Sequence, residues 1–213
     1  MDLYLNTISD LLWNSLKQLM LIEEFNSFRI VGGTSLSLQL GHRESIDIDL
    51  FTDADYGSID FSILETKLIE TFPYVDSLSE DLVGMGKSYF IGNNENELVK
   101  LDLFYTDPFV FPVILEQNIR FSSIEEIAAM KFEIIANGGR KKDFWDIHEL
   151  LETYTLDEMI AFYLKRNPYG YSKDELLAKT TDFSKAEDDF TPKCYKEKVW
   201  ELIKLDFEKL LKT

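Results

Sequence analysis

A chain of 213 residues with 22 Lys and Arg against 39 Asp and Glu carries a net charge of −17, which excludes a general nucleic-acid coat protein and disfavours an anionic membrane surface as partner. It is 45% hydrophobic, enough for a sizeable core, and its one cysteine, Cys194, permits neither an intramolecular disulfide nor a cysteine-based zinc site. The start Met1-Asp2-Leu3-Tyr4 lacks the basic opening of a secretory leader, and no apolar run reaches bilayer length, so a cytoplasmic protein with no membrane partner is expected.

Apolar residues at Ile8, Leu11, Leu12, Leu16, Leu19 and Met20 have helical spacing and predict a helix within residues 3–24. A short strand at 28–31 then ends in two glycines, and 34–40 reads as a short helix closed by Gly41. Residues 46–51 alternate apolar and acidic side chains, the period of a half-buried strand, with Ile46, Ile48 and Leu50 on the core side. A helix at 61–71 precedes two strands near 88–91 and 98–105, joined by a loop of hairpin composition.

After Pro112 the texture becomes helical. Ser122 with Glu125, or Ser123 with Glu126, fits a capping box opening a helix that runs to Asn137-Gly138-Gly139. A further helix starts near Asp143. Thr155 with Glu158 and Ser172 with Glu175 cap two more, and Thr191-Pro192 reads as the start of a long final helix. The expected organisation is α+β: a mixed β-sheet with flanking helices over 1–121, then a helical region over 122–213 packed against it.

Two features carry chemistry. Asp47 and Asp49, at i and i+2 on a strand, point to one face, where two repelling carboxylates suit a divalent cation such as Mg²⁺ or Mn²⁺. The plain alternative is a solvated polar face. Gly32-Gly33-Thr34 lies between a strand and a helix, where glycine permits close approach and the helix start offers free N–H groups to phosphate, with Thr34 and Ser35 adding hydroxyl contacts or a cap. An ordinary capped turn would look the same. Asp102, a lone acid in the apolar strand Lys100-Leu101-Asp102-Leu103-Phe104, supplies a third carboxylate.

In this order, Gly32-Gly33-Thr34, a helix, then Gly41-His42-Arg43-Glu44-Ser45-Ile46-Asp47-Ile48-Asp49-Leu50-Phe51 resembles the signature of the AbiEii/AbiGii toxin family, within the polymerase-β-like nucleotidyltransferases. The resemblance implies a nucleotidyltransferase-type sheet and a later motif, matched by Lys131 and by Arg140-Lys141-Lys142-Asp143-Phe144-Trp145-Asp146. It further implies metal held by Asp47, Asp49 and Asp102, and catalysis by these with Lys131 and Asp146. Nucleotide contacts fall to Gly32, Gly33, Thr34, Ser35, Arg43, Lys131, Arg140, Lys142 and Asp143. Physically, Arg140 to Lys142 is the densest basic cluster in an acidic chain, a natural partner for a triphosphate or an RNA backbone. The site is then expected in the cleft between the two parts.

The expected activity is metal-dependent transfer of a nucleotide from an NTP to an acceptor hydroxyl, with the 3′ end of tRNA as one acceptor and a cognate antitoxin as partner. The alternatives are a small-molecule or protein acceptor, a non-catalytic nucleotide-binding module working through a protein partner, and a metal-dependent hydrolase, which would leave the glycine turn unexplained. His42 is expected to be structural, Cys194 inert, and Arg43 either salt-bridged or turned to the phosphates. Phe104, Tyr105, Phe109 and Phe111 are expected in the core rather than in a base-stacking platform.

Overall fold

The structure, a computed structural model, describes residues 2–77 and 84–212. The chain divides into two compact units. The first runs to Gly41 and resumes over Ser45–Ser122; the second takes His42–Glu44 and everything from Ser123 onward. The short excursion His42–Glu44 departs from the sequence reading, which kept those residues in the first part.

The first unit is built on a seven-stranded sheet of order β3-β4-β5-β2-β1-β7-β6. Its strands are β1 (Arg29–Ile30), β2 (Asp47–Thr52), β3 (Tyr74–Ser77), β4 (Gly86–Asn94), β5 (Glu97–Tyr105), β6 (Val113–Glu116) and β7 (Ile119–Ser122). The β2–β5 and β1–β7 pairs are parallel and the other pairs antiparallel. Helices α1 (Asp10–Leu21), α2 (Gly32–Leu40) and α3 (Phe61–Thr71) complete the unit. Leu12, Leu16 and Leu19 of α1 and Leu64 and Leu68 of α3 join Ile48, Leu50, Leu101 and Leu103 in one apolar cluster. This α+β architecture matches the expected class.

Strand β2 follows the period of its sequence, with Ile48 and Leu50 fully buried and Asp47, Asp49 and Phe51 half-buried on the other side. Ile46 does not share the core side; it precedes the strand and is 68% exposed. Strands β3, β6 and β7 were not anticipated. The turn joining β6 to β7 is Gln117-Asn118, both at positive φ (48° and 64°), a primed hairpin turn made without glycine.

The second unit holds α4 (Ile124–Ala136), α5 (Lys141–Leu150), α6 (Leu156–Arg166), α7 (Lys173–Lys179) and α8 (Trp200–Leu210). Ser123, not Ser122, caps α4 by accepting from the Glu126 N–H. Thr155 with Glu158 and Ser172 with Glu175 form both anticipated capping boxes. The final helix is shorter than expected. Thr191 and Pro192 do not open it, and it starts only at Trp200. The chain around residues 193–195 is extended because its backbone hydrogen-bonds to the 42–44 excursion: Glu44 N–H donates to Lys193 O at 2.9 Å and Tyr195 N–H to His42 O at 2.8 Å, around an Arg43–Cys194 bridge. Those bonds hold the segment extended where Pro192 alone would have allowed a helix. Phe144, Phe183, Trp200 and Phe207 meet largely edge to face in the core of this unit. Among the described residues no helix is long and apolar enough to cross a membrane.

The alternation in β2 makes a direct prediction. Ile48→Ala should destabilise the protein by about 2–5 kcal/mol, whereas Ile46→Ala should stay within about 0.5 kcal/mol of wild type. Urea unfolding of both variants checks the register.

Candidate functional site

Parallel pairing of β2 with β5 sets Asp47 opposite Lys100 and Asp49 opposite Asp102. Directly paired residues share a face, so Asp47, Asp49, Lys100 and Asp102 stand together, away from the core. Helix α2 starts beside them. Gly32 has φ +67°, and a Cβ there would lie 2.5 Å from Asp49 Oδ2. The glycine is therefore required twice, by its backbone and by the carboxylate against which it packs. Helix geometry leaves the N–H groups of Gly32, Gly33 and Thr34 without intrahelical acceptors, next to the acidic face.

Thr34 and Ser35 play a different part from a helix cap. Both are buried. The Thr34 hydroxyl bonds to the Asp47 carbonyl and lies 2.7 Å from Ser45 Oγ. The amide of Gln39 donates to the Ser35 carbonyl and hydroxyl and to Ser122 O, each at 3.2 Å. The N-cap position falls on Val31, with no side-chain cap. The Thr34 hydroxyl thus ties the helix start to the strand that carries Asp47 and Asp49, while Gln39 links Ser35 to the end of β7.

Asp102 is engaged. Lys100 Nζ lies 2.5 Å from its Oδ2, and the Ser88 hydroxyl donates to Oδ1 at 2.5 Å. Lys100 was missed by sequence reading, although its i−2 spacing from Asp102 in a strand was the available signal. Among the described residues no three His, Cys, Asp or Glu side chains converge as a ready-made metal cage. Asp47 and Asp49 nonetheless suit Mg²⁺ or Mn²⁺, which are held by one or two carboxylates together with substrate phosphates. The cradle left by the missing Gly32 side chain, directly against Asp49, adds to that fit.

On the same face, two residues further along each strand, Phe51 and Phe104 are half-buried with ring centroids 6.0 Å apart. Arg29, paired with Phe51, lies 3.6 Å over the Phe109 ring. Phe104, Phe109 and Phe111 are only partly buried, which corrects the expectation that they are core. Phe104 lies on the non-core side of β5, and Phe109 and Phe111 follow that strand outside the apolar cluster formed among the described residues. Tyr105, on the core side, is 6% exposed as expected.

In the second unit the residues of the later motif form a buried ionic cluster. Asp146 is fully buried at the centre. Its Oδ1 accepts from Arg43 Nε at 2.6 Å and lies 2.8 Å from His42 Nε2. Its Oδ2 accepts from Arg43 Nη2 at 2.8 Å and sits 2.7 Å from Lys131 Nζ. Lys131 also binds Asp143 at 2.6 Å, and Asp143 accepts the Arg140 backbone N–H at 2.9 Å. Two cations and two carboxylates thus balance. Burial alone would raise Asp146, but Arg43 and Lys131 hold its carboxyl well below the ordinary range. Burial alone would lower Lys131, but Asp143 and Asp146 keep its amine above the usual lysine value. Of the two fates open to Arg43, the structure shows the ion pair.

The three consecutive cations diverge. Lys141 is buried, with its amine 5.5 Å from the Trp200 ring. Arg140 keeps 61% of its side chain exposed. Lys142 is half-buried, and burial followed by the charges of Arg140, Lys131 and Arg43 holds its amine below the usual lysine value.

The sequence model described as nucleotidyl transferase AbiEii toxin, type IV TA system, matches residues 15–211. An uncharacterized protein of Aquifex aeolicus (strain VF5) is 29% identical over 140 residues, 62% of this chain and 61% of its own; the match thus spans about three fifths of that relative. Two solved structures share the fold. A putative nucleotidyltransferase from Helicobacter pylori aligns with TM-score 0.56 at 17% identity over 93% of this chain and 91% of its own. MenT4, a nucleotidyltransferase toxin from Mycobacterium tuberculosis, aligns with TM-score 0.58 at 13% identity over 94% and 83%.

The buried cluster predicts a pH window. Asp143 and Asp146 have lowered values, so their stabilisation is complete above the ordinary 3.8 and is lost as pH falls through the depressed folded values. Lys131 is raised, so its share is complete below 10.5 and is lost as pH rises through the folded value. Asp146→Asn leaves Arg43 and Lys131 facing one carboxylate and should cost about 3–5 kcal/mol at pH 7. Urea unfolding at pH 7 and at pH 3 should show the penalty shrinking at the acid end.

Proposed function

Because the chain belongs to the AbiEii nucleotidyltransferase toxin family, we propose that it transfers a nucleotide from an NTP to an acceptor hydroxyl, in a metal-dependent reaction on the face formed by Asp47, Asp49 and Asp102. The observation that carries this reading is the packing of Gly32, at the start of α2, against the Asp49 carboxylate. It sets N–H groups suited to phosphate beside oxygens suited to a divalent cation, which supports this reading.

Asp47 and Asp49 would hold Mg²⁺ or Mn²⁺, with Asp102 completing the set; when bound, the metal neutralises phosphate charge and makes the α-phosphorus more electrophilic. The N–H groups of Gly32, Gly33 and Thr34 receive phosphate oxygens. Thr34 keeps the helix start and β2 in register, and Ser35 is held by Gln39 within α2. In the second unit, the cations that the family resemblance assigns to the nucleotide are Arg140, mostly in water, and Lys142, half-buried. Lys131, Arg43, Asp143 and Asp146 form a charge-balanced cluster that fixes the helix carrying Lys142. The acceptor oxygen forms a bond to the α-phosphorus in line with the bond to the β-bridging oxygen, which breaks to release pyrophosphate. The acceptor proton passes to Asp102 or to solvent.

We assign an RNA 3′ end, with tRNA as the leading case, as acceptor. Phe51 and Phe104 offer ring faces next to the carboxylates, and Arg29 over Phe109 adds a cation to the same surface. Aromatic and guanidinium planes of this kind stack unpaired bases. A cognate antitoxin is the expected protein partner, in keeping with a type IV toxin–antitoxin family.

Incubation with α-labelled NTPs, Mg²⁺ and total RNA tests the reading. Wild type should label a tRNA-sized band, and Asp49→Asn should lower labelling by about a thousandfold or more while keeping its circular dichroism. Full activity in that variant would sink the assignment. Lys142→Met separates binding from stability. A lysine held below its ordinary value opposes folding while charged, so its loss should leave thermal stability equal or higher. Affinity for a non-hydrolysable NTP should fall about tenfold or more, as read by calorimetry.

A further inference from the structure

We propose that Lys100 is a tethered cation that holds Asp102 out of the metal-ligand set until it is displaced; the proposal rests on the metal reading of the acidic face. Register brings Lys100 opposite Asp47 and Asp102 opposite Asp49, so three carboxylates and one ammonium crowd a patch two residues long and two strands wide. Adjacent strands lie about 4.8 Å apart, and carboxylates that close repel. Lys100 offsets that repulsion from inside the face. Its Nζ lies 2.5 Å from Asp102 Oδ2, and the Ser88 hydroxyl occupies Oδ1 at the same distance. Each oxygen of Asp102 already accepts one donor and keeps a second lone pair, but a cation drawn to Oδ2 would meet the Lys100 ammonium held there, and that repulsion keeps the carboxylate from joining Asp47 and Asp49 until Lys100 moves away.

The donor suited to leave is Lys100. Its side chain is 35% exposed against 17% for Asp102. Lysine carries a compact, strongly hydrated charge on a flexible stem, which can swing to solvent with little loss. Ser88 sits directly opposite Asp102 on β4 and can rotate its hydroxyl in place. On its β4 side Lys100 is paired with Phe90, which offers no competing carboxylate. The ammonium thus has two states, paired to Asp102 or released, and a divalent cation at Asp47 and Asp49 favours the second by charge repulsion. Lys100 is a positioning residue: it sets when the third carboxylate becomes available.

Mn²⁺ binding to the full chain, followed by electron paramagnetic resonance of the free ion, tests this without turnover. Lys100→Met should bind Mn²⁺ roughly fivefold more tightly than wild type, the scale of a partly exposed ion pair. Asp102→Asn alone should bring no gain, and the double variant should lose most of the gain shown by Lys100→Met. Unchanged or weaker affinity in Lys100→Met overturns the proposal. So does a gain fully retained in the double variant, since Lys100 would then act as a distant charge only. Lys100→Gln serves as the second variant should the methionine disturb the fold, with the same outcomes. If wild type binds Mn²⁺ but Asp47→Asn and Asp49→Asn bind it equally well, the metal reading of this face fails. If those variants weaken binding and Lys100→Met changes nothing, only the role of Lys100 fails.

Discussion

The parallel pairing of β2 with β5 is the constraint on which the acidic face depends. Each strand alternates, so each alone places its acids on one side; only the register decides whether the two sides coincide. With Asp49 opposite Asp102 the acids converge, and Ile48, Leu50, Leu101 and Leu103 converge on the core side by the same step. A slip of one residue would bury carboxylates and expose leucines. The apolar cluster therefore enforces the geometry of the polar face. Four fully buried aliphatic side chains, each contributing about 1.5–3 kcal/mol, hold a register that leaves like charges side by side.

The second unit shows the opposite solution to concentrated charge. Asp146 has no exposure and survives as an anion because Arg43 grips it with two nitrogens and Lys131 adds a third donor. Two charges of each sign cancel. Such a cluster is weak evidence of stability in itself, since desolvation offsets much of the attraction, but removing one member is costly. Its effect is positional. It holds His42 and Arg43, from the link between α2 and β2, in the second unit, where the backbone of His42 and Glu44 also bonds to the extended segment around Cys194.

Much of this was legible in the sequence, and the illegible parts have identifiable causes. Local signals were reliable where one residue does one job: Ser123, Thr155 and Ser172 cap the helices they announce, and Gly41 ends α2 at φ +69°. The alternation in 47–51 named the face that Asp47 and Asp49 occupy. Strands β6 and β7 were missed because their turn uses Gln117-Asn118 where glycine is the usual signal. The delayed start of α8 was missed because Thr191-Pro192 is a sound local helix opening overruled by hydrogen bonds to residues about 150 positions earlier. Lys100 was overlooked because a lysine in a strand reads as solvent-facing until the register sets it against three acids. The half-buried state of Phe104 and Phe109 was hidden because composition cannot say which face of a strand the core covers.

Division of labour among the cations follows from the same distinction between local and distant signals. Arg140, Lys141 and Lys142 are one basic run in sequence, yet each meets a different environment. Helical spacing turns Lys141 toward Trp200 and leaves Arg140 outside the helix start with most of its side chain in water. Lys142 remains in a field set by Arg140, Lys131 and Arg43. Lys131 and Arg43 are neutralised locally by Asp143 and Asp146, so their attraction for an outside anion is reduced. Lys142 has no such close compensation from those acids, being lowered by its neighbours more than Asp143 raises it. An anion brought to this helix start would relieve that like-charge strain, which is the physical ground for proposing Lys142 as a phosphate contact.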